Sequence, residues 1–404
     1  MPKSVLYITY DGLYDPLRSS QIIPYLAGLA DKGHHITILS TEKKDRFYEM
    51  ETDLKTLLNN HSINWHYIFY TKRPPVISTW LDIRKLKQKC NKLMHKHQFE
   101  IVHTRSYIAS IVGLYLKKKS SIKFIFDMRG FYADERVDGN LWPQKNPIFR
   151  FIYKKFKKTE KQLLKKCDHV VSLTYAGADI IHKWDNTTDK RISIIPCCTD
   201  FDHFNFKNID HNKNYKKNFN IEDNSFVLTY LGSIGTWYLL DEMLLFFKKL
   251  LEYKSDSVFL FITKDDPSLI QNTARRLNID QSKIIIKSSN RDELPKTLSI
   301  TDIAIFFIKP SFSKKASSPT KLAELMGMGI PVICNNIGDL DAQLSTFPGA
   351  LVIEDLSNES FQRAVEKTES LTLTPKNEIH NFAKTIYDLN IGIERYHIMY
   401  ENLQ

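Results

Sequence analysis

Ser318, Pro319, Thr320, Lys321 and Glu324 stand within one seven-residue stretch, and together they could hold a nucleotide. Ser318 can cap a helix, and Pro319 suits the first turn that follows. The exposed N–H groups of a helix start can hold a phosphate, and Lys321 adds a full positive charge one turn in. Glu324 lies three residues after Lys321 and four after Thr320, so the three share one helix face. A carboxylate there suits the two hydroxyls of a ribose. On an arbitrary helix the same residues would form a surface ion pair. In the first half of the chain, polar groups follow apolar runs: Asp11 after Val5–Tyr10, His103 and Arg105 at Glu100–His103, and Asp127 and Arg129 after Lys123–Phe126. Asp11, Asp127 and the more distant Glu135 are carboxylates able to orient a hydroxyl acceptor. Each has a plainer use: Asp11 can cap a turn at Gly12, Asp127 can pair with Arg129, and His103 can be a buried hydrogen-bonded histidine. Asp265-Asp266 is the nearest approach to a metal-binding carboxylate pair, and a polar turn accounts for it better, so no metal is expected.

Such residues act together only if strand ends bring them together. Strand-like runs alternate with helical spacing along the first half: Val5–Tyr10, Ser20–Lys32, Ile36–Leu39, Trp80–His97, Glu100–His103, Ile108–Leu116, Lys123–Phe126, Asn146–Cys167 and Val170–Leu173. Alternating strand and helix implies a parallel sheet covered on both faces. A polar stretch, Asp202–Asn224, reads as a linker. The pattern then restarts with Phe226–Tyr230, Leu240–Tyr253, Val258–Ile262, Ile284–Ile286, Ile303–Ile308, Pro319–Met328 and Val332–Cys334. The expected architecture is α/β: two Rossmann-like, doubly wound domains facing across a cleft, one ligand to each. Residues 1–200 form the first, 201–224 a linker or hinge, 225–380 the second, and 381–404 a C-terminal helix.

The string Ser317-Ser-Pro-Thr-Lys-Leu-Ala-Glu324, followed by Gly329-Ile-Pro331, resembles the nucleotide-sugar segment of the family-4 glycosyltransferases, retaining enzymes of the GT-B fold. The resemblance runs along nearly the whole chain. Tyr10-Asp11-Gly12 and Ser20-Gln21-Ile-Ile-Pro24 look like the opening of one subgroup. Asp127-Met-Arg129-Gly130 through Asp134-Glu135 looks like its acceptor-side loop. Glu160 with Cys167-Asp168, Ile195-Pro196 through Phe204, and Leu231-Gly232-Ser233-Ile-Gly235 match further stretches in order. The resemblance implies a nucleotide-sugar donor as co-substrate and no cofactor. Gly232, Ser233, Gly235, Lys264, Ser318, Pro319, Thr320, Lys321 and Glu324 would serve the donor. Asp11, Gln21, His103, Arg105 and Glu135 would stand on the acceptor side. Asp127, Arg129 and Lys321 would be closest to the chemistry. It also implies retention of configuration, with the leaving phosphate helping to deprotonate the acceptor. It implies too that the last segment, 381–404, crosses back onto the first domain. Five departures from the family pattern stand out: Ala316 where many members have a first glutamate, Ser233 where they have an arginine, Trp237-Tyr238 in the region of a lysine, Asp127 and Arg129 where many place a histidine, and Arg18-Ser19 where the first loop usually has a glycine pair. Lys321 and Lys264 would then meet the pyrophosphate.

Composition agrees with a folded enzyme. The chain has 404 residues, 42% of them apolar and 25% charged. The longest apolar run, Ile108–Leu116, is nine residues broken by Ser110, against about 18–20 for a membrane span. The N-terminus enters Val5–Ile8 without a leader-like stretch, and the five cysteines form no CxxC pair, so a cytoplasmic protein is expected. Net charge is +11. Residues 1–200 hold 34 Lys and Arg against 20 Asp and Glu; the remainder hold 23 against 26. Lys145–Lys166 alone has nine cations and one acid. A basic half expects an anion: a membrane surface on the inner face of the plasma membrane, bearing a lipid-linked or glycan acceptor, fits better than nucleic acid, for which no motif is present. A nucleotide-sugar epimerase and a non-catalytic donor-binding subunit are the alternatives. A GxGxxG dehydrogenase is disfavoured, because no such motif follows the first strand.

Overall fold

The computed structural model describes residues 1–14, 18–74, 77–184, 191–210 and 214–403, with the side chains of Arg18, Ser19, Arg46 and Glu49 outside the description. Residues 211–213 of the expected linker and Gln404 of the expected last helix lie outside the described residues.

The chain forms two units. The first holds Met1–Cys198, Phe312–Ser317 and Leu389–Gln404; the second holds Thr199–Ser311 and Ser318–Asp388. In the first, seven strands, β1 (Ser4–Thr9), β2 (His35–Glu42), β3 (Asn64–Phe69), β4 (Ile101–Arg105), β5 (Lys123–Asp127), β6 (His169–Ser172) and β7 (Ile192–Ile194), pair in the order 3-2-1-4-5-6-7. In the second, β8 (Val227–Leu231), β9 (Val258–Ile262), β10 (Ile284–Lys287), β11 (Ile303–Phe306), β12 (Val332–Asn335) and β13 (Ala350–Ile353) pair in the order 10-9-8-11-12-13. Every ladder is parallel. The central strands are covered on both faces, which is why Val5-Leu6-Tyr7-Ile8 and Val258-Phe-Leu-Phe-Ile262 are continuous apolar runs. Strand order reverses beside β1 and β4 in one sheet and beside β8 and β11 in the other. Ligands of doubly wound sheets bind outside the carboxyl ends of the strands at such switch points.

β3 was not among the expected strands. It is a half-buried edge strand whose Asn64 and His66 interrupt the apolar run. Residues 201–224 are not a free linker. Phe201, Phe204, Ile209 and Ile221 are buried in the second unit's core, each burial contributing about 1.5–3 kcal/mol beneath a polar exterior. Phe312–Ser317 packs within the first unit: Phe312 stacks on Phe131 at 5.4 Å between ring centroids, the Ser313 N–H donates to Asp138 Oδ2 at 2.9 Å, and Lys314 Nζ lies 2.8 Å from Glu135 Oε1. The last helix, Leu389–Asn402, is also part of that unit, while residues 381–388 stay in the second. Three polar ties run along one face of this helix: Lys32 Nζ to Glu394 at 2.6 Å, His34 Nε2 to His397 Nδ1 at 2.9 Å, and the terminal amine to Glu401 at 2.5 Å. All five cysteines are buried thiols outside any disulfide. Among the described residues no helix is long and apolar enough to cross a membrane.

Candidate functional site

In the second unit, the residues read as donor-binding gather at the β8–β11 switch point. β8 is followed directly by Gly232, whose φ is +119°. Glycine is required there because the backbone is in the region L side chains avoid, and a Cβ would press on Lys321 Nζ at 2.9 Å. Lys321 comes from the helix Thr320–Gly327 and is 7% exposed. Its ammonium donates to Tyr230 Oη at 3.0 Å and lies 4.1 Å and 3.7 Å from the ring centroids of Tyr230 and Tyr238. Tyr230 in turn donates to the Ser233 carbonyl at 2.6 Å, and Asp265 accepts from the Ile234 N–H. The loop after β8 is therefore fixed from both sides. Burial among rings drives the Lys321 amine well below the usual lysine range, with Glu324 opposing.

Glu324, one turn on, is 8% exposed. Its Oε1 accepts from Arg291 Nη1 at 2.8 Å. Burial raises its carboxyl above the ordinary range, and Arg291, then Lys321 and His203, pull it back. Arg291 follows β10 and was absent from the sequence-based set. Its guanidinium lies 5.0 Å from the Phe204 ring centroid, and its carbonyl meets His203 Nε2 at 3.0 Å. Its only signal was its place in the Asn290–Asp292 turn after a strand.

One expectation is corrected at this helix. Ser318 does not cap it: Pro319 occupies the cap position, and no side chain caps the helix, because the chain arrives extended through Pro319. Ser318, Pro319 and Thr320 are half-buried, while Ser233, Gly235 and Lys264 are exposed. A Cβ added at Gly235 would meet nothing within 4 Å. Asp266 accepts from the Ser268 N–H at 2.9 Å, as a turn residue does. Among the described residues no three His, Cys, Asp or Glu are grouped to hold a metal.

In the first unit, the β1–β4 switch point carries Asp11, Gln21, Arg105 and Arg129. Arg105 Nε donates to Asp11 Oδ2 at 3.3 Å, and Arg129 Nη2 donates to Gln21 Oε1 at 3.1 Å and Cys197 Sγ at 3.4 Å. Arg129 itself holds a left-handed φ of +54°. Asp11 is 44% exposed at its side chain, whereas Asp127 and His103 are 1% and 2% exposed. This corrects the expectation that Asp127 and His103 face substrate. The last helix covers them: Tyr396 donates to Asp127 Oδ2 at 3.1 Å, and His103 Nδ1 meets Tyr400 Oη at 2.6 Å. Burial pushes the Asp127 carboxyl up, but Arg129, His103 and Arg105 together hold it below the usual carboxylate range. Burial lowers the His103 imidazole. Glu135, expected on the acceptor side, is the ion-pair partner of Lys314. Ala316 is buried, its Cβ 3.0 Å from one built at Gly177.

Two parallel sheets, each doubly wound with its polar cluster at a switch point, are the two-domain GT-B fold. Comparison with known proteins agrees: a model described as Glycosyltransferase Family 4 matches residues 25–203, and one described as Glycosyl transferases group 1 matches residues 211–385. The chain belongs to the family-4 glycosyltransferases. A glycosyltransferase from Rickettsia africae is similar in structure, with 17% identity, TM-score 0.72, and 100% of this chain and 98% of that one covered. Anabaena Alr3699/HepE in complex with UDP is similar at 11% identity and TM-score 0.73, covering 98% and 99%. WaaG, a glycosyltransferase involved in lipopolysaccharide biosynthesis, is similar at 14% identity and TM-score 0.68, covering 98% and 100%. No curated protein matches the chain closely enough to count as a relative.

Proposed function

We propose that the second unit binds a nucleotide-sugar donor and that the chain transfers its sugar, with retention of configuration, to a glycan or lipid-linked acceptor of cell-surface polysaccharide synthesis. The observation that carries this is the buried Lys321 ammonium packed against Gly232, with Glu324 one turn further on the same helix. A departing nucleoside diphosphate gains negative charge as the bond to the sugar breaks. A preorganised cation in a dry site is what that charge needs. Glu324 accepts from the ribose hydroxyls, and the loop Gly232–Gly235 approaches the diphosphate. The acceptor oxygen attacks the anomeric carbon from the face the diphosphate leaves, and its proton passes to the leaving phosphate. The UDP complex of Anabaena HepE supports the choice of ligand class.

Thermal unfolding with a panel of nucleoside diphosphates tests the donor reading. A nucleotide at about 100 times its dissociation constant adds about 2.7 kcal/mol of stability, seen as a raised Tm. Glu324→Ala, weakening the nucleotide about tenfold, should cut that stabilisation to about half. A wild-type protein that no nucleotide stabilises would sink the proposal. Incubating the matching nucleotide sugar with and without lipid-linked acceptors then separates transfer from epimerisation.

A lipid-linked acceptor places the enzyme at a membrane surface, and the helix Pro147–Lys166 supports that position. Arg150, Lys154, Lys155, Lys158, Lys161, Lys165 and Lys166 are exposed along it, and no carboxylate among the described residues pairs with them. Ile148 and Phe151 are 66% and 68% exposed at its start. The buried face is Ile152, Leu163 and Leu164, with Glu160 held by Tyr107 and Lys157. Each lysine near an anionic surface contributes about 1 kcal/mol. The protein should therefore co-sediment with phosphatidylglycerol vesicles and not with phosphatidylcholine. Exchanging Lys154, Lys155 and Lys158 for Glu should lower binding at least tenfold. Equal retention on neutral vesicles would refute the electrostatic account.

A further inference from the structure

We propose that Arg291 is a positioning residue for the donor's ribose: it holds one carboxylate oxygen of Glu324 and leaves the other to accept from the ribose hydroxyls. This rests on the donor reading above. Arg291 is built for that task at both ends. Its backbone is tied into a turn in which Glu293 N–H donates to Asn290 Oδ1 at 2.9 Å and Leu294 N–H to the Arg291 carbonyl at 3.3 Å. The same carbonyl meets His203, and the guanidinium packs over Phe204 before reaching Glu324 at 2.8 Å. An arginine whose stem and carbonyl are both fixed delivers its fork to one place. Without it Glu324, 8% exposed, would be a buried carboxylate with Lys321 and His203 as its remaining basic neighbours. Lys321 is turned to Tyr230 and the two rings. Breaking such a pair from one side leaves an uncompensated charge, which the site relieves by taking up a proton. A protonated carboxyl is a poor acceptor for two hydroxyls. Arg291 thus acts on the nucleotide through Glu324, without touching the reacting atoms.

The test is calorimetric binding of UDP, GDP and ADP and of their 2′,3′-dideoxy counterparts to wild type, Arg291→Gln and Arg291→Lys. In wild type, the preferred diphosphate should lose about tenfold in affinity when its ribose hydroxyls are removed, the worth of one hydrogen bond to a charged group. Arg291→Gln should weaken the ribonucleotide by a similar factor and the dideoxynucleotide hardly at all. Arg291→Lys should recover part of the loss. The pH below which binding weakens should rise in Arg291→Gln, because Glu324 then protonates more easily. His203 faces the same carboxylate, so the profile is repeated in a His203→Gln background. Equal weakening of both nucleotides with an unmoved pH profile overturns the proposal and makes Arg291 a loop support or a direct ligand of another part of the donor. Wild-type affinity indifferent to the ribose hydroxyls overturns instead the role given to Glu324.

Discussion

Lys321→Met should lower kcat for sugar transfer by about 10²–10³, equivalent to about 3–4 kcal/mol, while the Tm holds or rises. The size follows from losing one preorganised donor to a leaving anion. The retained stability follows from the surroundings. The ammonium sits among Tyr230, Tyr238 and Phe306, and 7% of the residue is exposed. Desolvating it costs more than its contacts return, and an unbranched thioether fills the same channel. A variant keeping more than about a third of wild-type turnover would remove Lys321 from the chemistry.

The second large effect is on stability. Asp127→Ala should destabilise the protein by about 3–5 kcal/mol, the cost of breaking a buried charged cluster from one side. The substitution strips an acceptor from Tyr396 and an anion from beside His103 and Arg129. The sign with pH is fixed by the direction of the shift. A carboxyl held below its unfolded value of about 3.8 contributes fully above that pH and loses its contribution only as pH falls through the folded value. Denaturation at pH 7 thus reads the whole effect. Asp127→Asn, which keeps an acceptor for Tyr396 but not the charge, should fall between. The fraction that remains folded at low temperature should transfer sugar within a few-fold of wild type. A stable Asp127→Ala protein without activity would return Asp127 to the catalytic set.

These two residues mark what the sequence made legible. Lys321 and Glu324 could be placed because both the turn of a helix and the run into Val332 are local patterns, and local spacing fixes which side chains share a face. The central strands were equally plain, since a strand buried on both faces must be apolar throughout. Asp127 followed the same logic to a strand end and was taken for an open site. What covers it is Tyr396, 269 residues later in the chain. No local pattern carries that information. Phe201 and Phe204 were hidden in the same way inside a polar stretch that looked like a tether. Arg291 was invisible because its partner is fixed by packing between a turn after β10 and a helix after β11, elements that spacing alone does not bring together.

The last helix gives the chain an unusual order of completion. The first unit contains residues 1–198, yet its central carboxylate receives its tyrosine from residues 389–404. A ribosome makes the N-terminus first, and domains generally fold in that order. Here Asp127 and His103 are made well before the helix that covers them, Leu389–Asn402, which follows the last strand of the second unit in the chain. The second unit has all its strands before the first has its lid. A chain translated only as far as Asp388 would thus hold every residue of the second unit and lack the helix that covers Asp127 and His103 in the first.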